Sequence, residues 1–309
     1  METHEPVLLN EVLSFLCEAQ GVADTPRIVD GTLGLGGYSE AILKTFLRGK
    51  VFGVDRDSGA LRLARERLVG FGPRFHALHA NFGDIAEAMR TEAPFDAFVF
   101  DLGVSNMQLT EADRGFSFQQ DGPLDMRMDA EGDQPTAADV LRRLDVREMS
   151  RIFQEYGEER HAHRIAAAIE NHRKSGGTLE TTGELVALIR KTLPAPVQRK
   201  MGTHPARRVF QALRIFVNDE LGELESMLSG LPSLAGGGCV VVIVSYHSLE
   251  DRIVKHRFRS WEKEQKLGRV LTRHPVLPQE EEMERNHKSR SAKLRAFRFS
   301  DRPAKDAEV

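Results

Sequence analysis

Residues 28 to 38 read Ile-Val-Asp-Gly-Thr-Leu-Gly-Leu-Gly-Gly-Tyr. An apolar run ends at Asp30, spaced glycines follow, and a helical pattern begins at Ser39, whose side chain can cap the helix. This order of strand, bare turn and helix lets a ligand approach the backbone and is typical of nucleotide sites. Counting from Gly34, however, the sixth position is Ser39, so the dinucleotide pattern G-x-G-x-x-G is not met. The stretch alone therefore predicts either a nucleotide-type site or a tight structural turn.

Two acidic residues accompany this turn. Asp30 ends the first apolar run, and Asp55 follows the next one, where a carboxylate can accept hydrogen bonds from both ribose hydroxyls of a nucleoside. Two acids suit a ligand with little negative charge better than they suit a pyrophosphate. An adenosine ligand without phosphates fits best, and S-adenosylmethionine is the common cofactor of that description. An NAD oxidoreductase is disfavoured by the missing glycine and by the lack of a nearby acid–base pair.

Strand and helix patterns alternate outward from the turn. The predicted strands cover residues 27–30, 51–54, 75–79, 95–102, 239–244, 269–272 and 294–299, and the predicted helices residues 7–16, 39–47, 58–68, 84–89, 206–228 and 249–259. Repeated βα units form a parallel sheet, and ligands bind beyond the carboxyl ends of its strands. The polar or stacking groups at those ends are Asp30, Asp55, Asn81 with Phe82, and Asp101.

The alternation stops between the fourth and fifth predicted strands. Residues 105–204 show no convincing strand pattern, only helical patterns near 137–144, 147–174 and 179–193. The sequence therefore predicts an α/β methyltransferase-type domain from residues 1–104 and 205–309, with a Rossmann-like, mostly parallel, doubly wound sheet. Residues 105–204 are predicted to form an all-helical insertion in this domain.

The composition is that of a globular protein. With 309 residues, of which 40% are hydrophobic, the chain can form one large α/β domain with an insertion. A net charge of −3 argues against a protein that coats nucleic acid indiscriminately. The charge is uneven, because residues 252–298 carry fourteen basic and six acidic groups. Within them, residues 286–295 alternate cations with Ser and Asn donors, which suits a phosphate backbone; a solvated surface is the alternative.

The cysteines and the missing motifs exclude several classes of protein. Cys17 and Cys239 lie far apart without metal-ligand spacing, so we predict buried thiols, no metal site and a cytoplasmic location. The longest strongly apolar run, residues 239–244, is too short to span a bilayer. No G-x-S-x-G elbow, P-loop or H-E-x-x-H motif occurs, which removes the commonest hydrolase, NTPase and zinc-protease interpretations.

Longer blocks of unusual composition run in order over nearly the whole chain. Two of them are Asp121-Gly122-Pro123-Leu124-Asp125-Met126-Arg127-Met128 and Ser248-Leu249-Glu250-Asp251-Arg252, and the others lie at 6–11, 30–32, 101–105, 114–118, 156–159, 204–206 and 210–214. In these blocks the chain resembles the RsmH (MraW) family. The resemblance implies an S-adenosylmethionine-dependent methyltransferase that modifies the exocyclic N4 of a cytidine. The target it implies is 16S ribosomal RNA, at the decoding centre near the P site of the small ribosomal subunit. For such a substrate we expect the insertion of residues 105–204 to recognise RNA and to form a cleft with the basic C-terminal part.

Carried over by position, the resemblance implies a cofactor site. Its residues are Gly36, Gly37, Tyr38, Asp55, Phe82, Asp101 and Gln108. Most relatives have His at position 38 and Ser-Pro at 106–107, where this chain has Tyr38 and Asn106-Met107. Tyrosine keeps a ring and a polar tip but lacks the titratable nitrogen, which puts any proton-transfer role at 38 in doubt. The change at 106–107 bears on how the loop presents Gln108.

The chemistry of an amino-methyltransferase favours Asp101 as the catalytic candidate. The lone pair of a cytosine amino nitrogen is conjugated into the ring, so the enzyme must position the nitrogen and accept hydrogen bonds from its N–H groups. Asp101 follows the fourth predicted strand, with a purely cofactor-holding role as the alternative. His247 is the second candidate, with helix capping as the alternative. Many amino-methyltransferases have rigid prolines and a stacking ring after this strand, and this chain lacks them. Phe116 and Phe118 are the rings that can stack on the base in their place.

Two other functions remain open on the sequence alone. The first is methyl transfer to another amino group, in DNA or in a protein. The second is a non-catalytic ribosome assembly factor that keeps S-adenosylmethionine as a structural ligand. Because the target base must leave its stack to reach a buried methyl group, we expect short free oligonucleotides to be poor substrates.

Overall fold

The structure, a computed structural model, describes residues 6–19, 24–103, 111–130 and 132–301. The chain forms two compact units. We call residues 1–103 with 221–309 the sheet unit, and residues 104–220 the helical unit. No helix among the described residues combines the length and the apolar character that a bilayer crossing requires.

The sheet unit is built on seven strands in the order β3-β2-β1-β4-β5-β7-β6. Strands β1 to β5 pair in parallel, whereas β7 is antiparallel to both β5 and β6. The order reverses between β1 and β4, which is the switch point where open α/β sheets bind ligands. This topology confirms the predicted mostly parallel, doubly wound fold. The strands are β1 (Arg27–Asp30), β2 (Lys50–Asp55), β3 (Phe75–His79), β4 (Phe95–Asp101), β5 (Ala235–Ser245), β6 (Gly268–Val270) and β7 (Lys293–Phe299).

Helices cover both faces of this sheet, and alternation along the strands explains how. In β1, Ile28 belongs to one apolar cluster and Val29 to the other, because successive strand side chains point to opposite faces. Val51 and Phe52 of β2 divide in the same way. The helices are Leu9–Ala19, Gly37–Thr45, Ser58–Leu68, Ile85–Ala88, Glu220–Leu234, Ser248–Lys263 and Glu280–Arg285; the last was not predicted.

The helical unit has an apolar core of its own. Phe153, Ile165, Leu185 and Leu213 are buried together there. Its described residues contain no strand of the sheet, only an isolated bridge between Pro123 and Thr181. Its helices are Ala137–Arg143, Val146–Glu155, Ala162–Lys174, Thr182–Thr192, Ala195–Lys200 and Arg207–Asn218.

Two long predicted helices are each broken by a residue in the left-handed region. The predicted helix over 206–228 is wrong, because Asp219 has a φ of 47° and separates Arg207–Asn218 from Glu220–Leu234. The first of these helices packs in the core of the helical unit, which therefore runs to residue 220, whereas the predicted insertion ends at 204. The predicted helix over 147–174 is likewise divided near Glu158, whose φ is 49°.

Two smaller expectations are also wrong. Ser39 does not cap its helix: the helix starts at Gly37 with Gly36 as the N-cap residue, and Ser39 is buried in the first turn. The cysteines are both free, but only Cys239 is buried, whereas Cys17 is exposed. Cys17 lies on the polar side of an amphipathic helix whose Val12 and Leu16 face the core.

Candidate functional site

The glycine turn between β1 and the helix Gly37–Thr45 is shaped by left-handed residues. Gly34 and Gly36 have φ values of 50° and 78°, which side-chain-bearing residues rarely adopt. At Gly31 a Cβ atom would lie 2.0 Å from Cε1 of Phe100, so no side chain fits there. The turn is fixed to the sheet, because the backbone N–H groups of Gly31 and Leu33 donate to the carbonyls of Val99 and Val54, each at 2.9 Å. The glycines thus bring bare backbone to the carboxyl edge.

Asp30 lies beneath this turn and is almost fully buried, with 1% of its surface exposed. Its Oδ2 accepts a hydrogen bond of 2.7 Å from the hydroxyl of Ser39, whereas Oδ1 is buried without a partner. Burial raises the pKa of Asp30 from 3.8 to about 6, against the opposing effect of the Ser39 hydrogen bond. A buried acceptor without a donor is costly, and a ligand that brings an N–H or O–H group would satisfy it.

Asp55 ends β2 and is tied to the backbone on both sides. Its Oδ2 accepts from the N–H of Gly34 at 2.7 Å, and its Oδ1 accepts from the N–H of Asp57 at 2.9 Å. Burial raises the pKa of Asp55, while these hydrogen bonds lower it. Three backbone N–H groups, those of Gly34, Arg56 and Asp57, thus orient the carboxylate. A carboxylate has about four acceptor sites in all, so it can still accept from a ligand hydroxyl.

Asp101 ends β4 and is held by two neighbours. Its backbone N–H donates to the hydroxyl of Thr32 at 2.6 Å, and its Oδ1 accepts from the phenol of Tyr246 at 2.6 Å. Burial raises the pKa of Asp101 from 3.8 to about 7, whereas the phenol and the charge of Lys288 oppose that rise. A carboxyl group that titrates near neutral pH at the edge of the sheet is typical of a functional site.

Tyr38 and Phe82 contribute rings to the sheet unit near this edge. The hydroxyl of Tyr38 donates to the backbone carbonyl of Val7, and the side chain is buried. Burial, with Asp101 and Asp30 nearby, raises the pKa of Tyr38 well above its usual value, so the phenol stays protonated. Phe82 follows β3, is half-buried and stands edge-on to Phe100 with 6.5 Å between ring centroids. The predicted contact Gln108, with Asn106 and Met107, lies outside the described residues.

His247 is the N-cap residue of the helix Ser248–Lys263. Its Nδ1 accepts from the backbone N–H of Glu250 at 3.4 Å, and Oε2 of Glu250 accepts from the backbone N–H of His247 at 3.2 Å. Its Nε2 lies 3.1 Å from Oε1 of Glu250 but outside hydrogen-bond geometry. Ser248 is the first helical residue, so helix capping, the alternative predicted for His247, is what the structure shows. The structure therefore gives His247 a capping role.

A model of the MraW methylase family matches residues 1–300 of the chain. The chain belongs to this family. The predicted resemblance is thus confirmed, and so are methyltransferase activity and S-adenosylmethionine as the cofactor.

Two relatives with ribosomal RNA methyltransferase names agree with this assignment. Ribosomal RNA small subunit methyltransferase H of Maridesulfovibrio salexigens is 44% identical over 311 residues, covering 95% of this chain and 94% of that protein. The protein of the same name from Carboxydothermus hydrogenoformans is 44% identical over 312 residues, covering 95% of this chain and 97% of that protein. Among solved structures, an rRNA methylase from Streptococcus thermophilus has 12% identity and a TM-score of 0.42, covering 97% of this chain and 99% of that one.

The chemistry of the edge fits the methyl donor of this methylase. S-adenosylmethionine carries an ammonium group, two ribose hydroxyls and a sulfonium, all of which are satisfied by acceptors or negative charge. The edge supplies the unpartnered Oδ1 of Asp30 and the oriented carboxylate of Asp55, beside a turn whose glycines admit a ligand to the backbone.

Three of the groups that build this arrangement were not predicted as parts of the site: Thr32, Ser39 and Tyr246. Only Tyr246 carried a sequence signal, as an aromatic residue directly after the fifth strand.

Proposed function

We propose that this methylase transfers the methyl group of S-adenosylmethionine to the exocyclic N4 of a cytidine in 16S ribosomal RNA, within the decoding centre of the small subunit. The observation that carries the proposal is the carboxyl group of Asp101, oriented by Thr32 and Tyr246 at the end of β4. The names of the similar proteins support ribosomal RNA of the small subunit as the substrate.

Asp101 is the group we propose to act on the substrate nitrogen. The amino group of cytosine becomes nucleophilic as its N–H bonds are engaged by an acceptor and the nitrogen pyramidalises. One oxygen of Asp101 is occupied by Tyr246, which leaves the other as the acceptor. When bound, S-adenosylmethionine would supply the methyl group on a positive sulfonium and become a neutral thioether, and the proton that N4 loses would pass to the free oxygen of Asp101. Positioning provides most of the rate enhancement, and a strong base is not required. Of the two predicted catalytic residues, we assign the role to Asp101, because the side chain of His247 is used to cap a helix.

We assign the cofactor contacts by the chemistry of each group. Asp55 accepts from the ribose hydroxyls, and the turn at Gly36 and Gly37 faces the methionine part. Asp30, which was not among the predicted contacts, accepts from the ammonium group through its free Oδ1. Phe82 provides a ring surface beyond β3, and Gln108 remains a proposed contact by resemblance. Tyr38 supports the turn through its bond to Val7, so its ring rather than a titrating group takes the place of histidine.

RNA recognition is proposed for the helical unit and for the exposed part of the basic segment 286–295, which includes Arg290 but not Arg295, buried in an ion pair with Asp251. Cations and short polar donors of this kind contact phosphate groups rather than bases. The proposed partner is the small ribosomal subunit or its precursor, which places the protein in the cytoplasm. Because the cytidine must leave its stack, we propose that the assembled subunit presents it better than short RNA does.

Methyl transfer to ribosomal particles tests the proposal. Small subunits from cells that lack the enzyme are incubated with the protein and tritiated S-adenosylmethionine, and the RNA is digested to nucleosides. Label in N4-methylated cytidine is the expected result, and Asp101→Asn should reduce the rate by about 10²- to 10⁴-fold, the range for a positioned acid–base group. Label in another nucleoside or in protein would instead support a different amino acceptor. If neither RNA nor protein is labelled although the protein binds S-adenosylmethionine, a non-catalytic assembly factor would be supported.

A further inference from the structure

A phenol is the direct partner of the proposed catalytic carboxyl group. The hydroxyl of Tyr246 donates to Oδ1 of Asp101 at 2.6 Å, and among the described residues it is the only side-chain donor within hydrogen-bond distance of that carboxyl group. Hydrogen bonds from a neutral donor to a charged acceptor are stronger than bonds between neutral groups. The bond is therefore strong enough to orient the carboxylate.

The local structure brings the two side chains together. In the parallel pairing of β4 with β5, Asp101 lies beside Val244, so Tyr246 follows two residues beyond that position. The Tyr246 ring packs over Gly103, where a Cβ atom would lie only 3.2 Å from Cδ2 of the ring and where φ is 108°. The backbone N–H of Tyr246 donates to Oε2 of Glu250 at 2.8 Å, which anchors the residue at the start of the following helix.

The charges around the pair come from four elements. Asp30 at the end of β1 and Glu250 in the helix after β5 disfavour the ionised form of Asp101, whereas Lys288 in the segment His287–Ser291 favours it. Tyr38 faces the Tyr246 phenol from the helix after the glycine turn. Burial and Asp101 itself raise the pKa of Tyr246 well above its usual value. The phenol therefore stays protonated and remains a donor at neutral pH.

We propose that Tyr246 is a positioning residue for the methyl transfer, whose phenol fixes Oδ1 of Asp101 and leaves Oδ2 as the acceptor for the substrate amino group. This inference rests on the proposed function, because it gives Tyr246 a part in the same transfer. No proton leaves the phenol, which donates to the carboxylate before and after the step. Tyr246 also helps to keep Asp101 ionised near neutral pH, since its hydrogen bond favours the charged form.

The pH dependence of kcat tests the role. Removing the hydroxyl in Tyr246→Phe raises the pKa of Asp101 further, so the acidic limb of the kcat profile should move up by about one pH unit. For a group with a pKa of about 7, kcat at pH 7 should fall about fivefold and recover largely by pH 9. Ser229→Ala, which removes an exposed hydroxyl that bonds only the carbonyl of Glu225 in its own helix, is the control and should leave the profile in place. A profile that does not move, or a loss that is equal at every pH, would overturn the inference.

A second measurement separates the effect on Asp101 from a general loss of structure. If Tyr246 acts through Asp101, adding Tyr246→Phe to Asp101→Asn should lower kcat by less than twofold beyond the single Asp101→Asn variant. If Tyr246→Phe lowers kcat as much in the Asp101→Asn protein as it does in the wild type, the coupling between the two residues is contradicted.

The carboxyl group can also be followed without any substrate. Carboxyl ¹³C NMR of the whole protein reports the titration of Asp101, assigned by its absence in Asp101→Asn. A titration midpoint that moves up in Tyr246→Phe supports the inference even if ribosomal RNA is not the substrate. An unchanged midpoint overturns it, whereas a wild-type protein that transfers no methyl group to RNA overturns the proposed function.

Discussion

Replacement of Asp30 by asparagine should stabilise the cofactor-free protein at high pH, although it removes a site residue. Asp30 is buried with one oxygen unpartnered, and its pKa is raised from 3.8 to about 6. The folded protein therefore binds this proton more tightly than the unfolded chain does. Stability from this group is highest below pH 4 and is lost as the pH rises to about 6, after which the contribution is constant.

The magnitude follows from the difference between the two pKa values. About two units correspond to ~3 kcal/mol between the acidic and alkaline limits, and to ~1.4 kcal/mol between pH 5 and pH 8. Asparagine has no charge to lose, so the gain in unfolding free energy of Asp30→Asn over the wild type should be larger at pH 8 by that amount. Comparing the two pH values cancels the changed hydrogen bond to Ser39, which contributes at both.

Urea unfolding without S-adenosylmethionine, followed by circular dichroism at pH 5 and pH 8, provides the measurement. Glu66→Gln, at an exposed side chain, is the control and should change the unfolding free energy equally at both pH values. The explanation is refuted if the difference between Asp30→Asn and the wild type is the same at pH 5 and pH 8. At the same time Asp30→Asn should weaken cofactor binding, because the amide cannot neutralise an ammonium group.

Three further variants probe the turn, the ribose contact and the helical unit. Asp55→Asn should weaken binding of S-adenosylmethionine by about 10- to 100-fold in calorimetry, because it replaces a charged acceptor of two hydroxyls; unchanged affinity would place the ribose elsewhere. Gly31→Ala should lower the unfolding free energy by about 1–3 kcal/mol, since its methyl group would lie 2.0 Å from Phe100, and an unaffected urea midpoint would contradict this packing. Asn218→Ala should cost about 1–3 kcal/mol by leaving the N–H of Met128 and the carbonyl of Met126 without their bonds of 2.8 and 2.7 Å; a loss no larger than that of the exposed Asn171→Ala would contradict it.

The sheet and its turn could be predicted because their signals are local. Residues 27–30 form a strand as predicted, since an apolar run beside glycines has few alternatives, and the predicted helix over 58–68 has its observed bounds, starting after the cap residue Asp57. The carboxylates at the strand ends followed from the topology alone, because parallel strands bring their carboxyl ends to one edge.

Features that depend on tertiary contacts were not predicted. The break at Asp219 could not be seen, because a positive φ is uncommon for any residue with a side chain and the apolar pattern continues across it. Ser39 looked like a cap, but Asp30 beneath the turn takes its hydroxyl. The partnership of Tyr246 with Asp101 joins residues separated by 145 positions, a pairing that no local pattern contains.

That separation also bears on the order in which the protein forms during synthesis. The glycine turn needs only β1, β2 and β4, which are complete by residue 101, for its backbone bonds to Val54 and Val99. The bond between Asp101 and Tyr246 must wait until the whole helical unit has been made, and closing so long a loop is slow. We expect a nascent chain to form the glycine turn of the cofactor site long before Tyr246 orients the carboxyl group of Asp101. A partly synthesised enzyme would therefore be inactive while it is still attached to a ribosome.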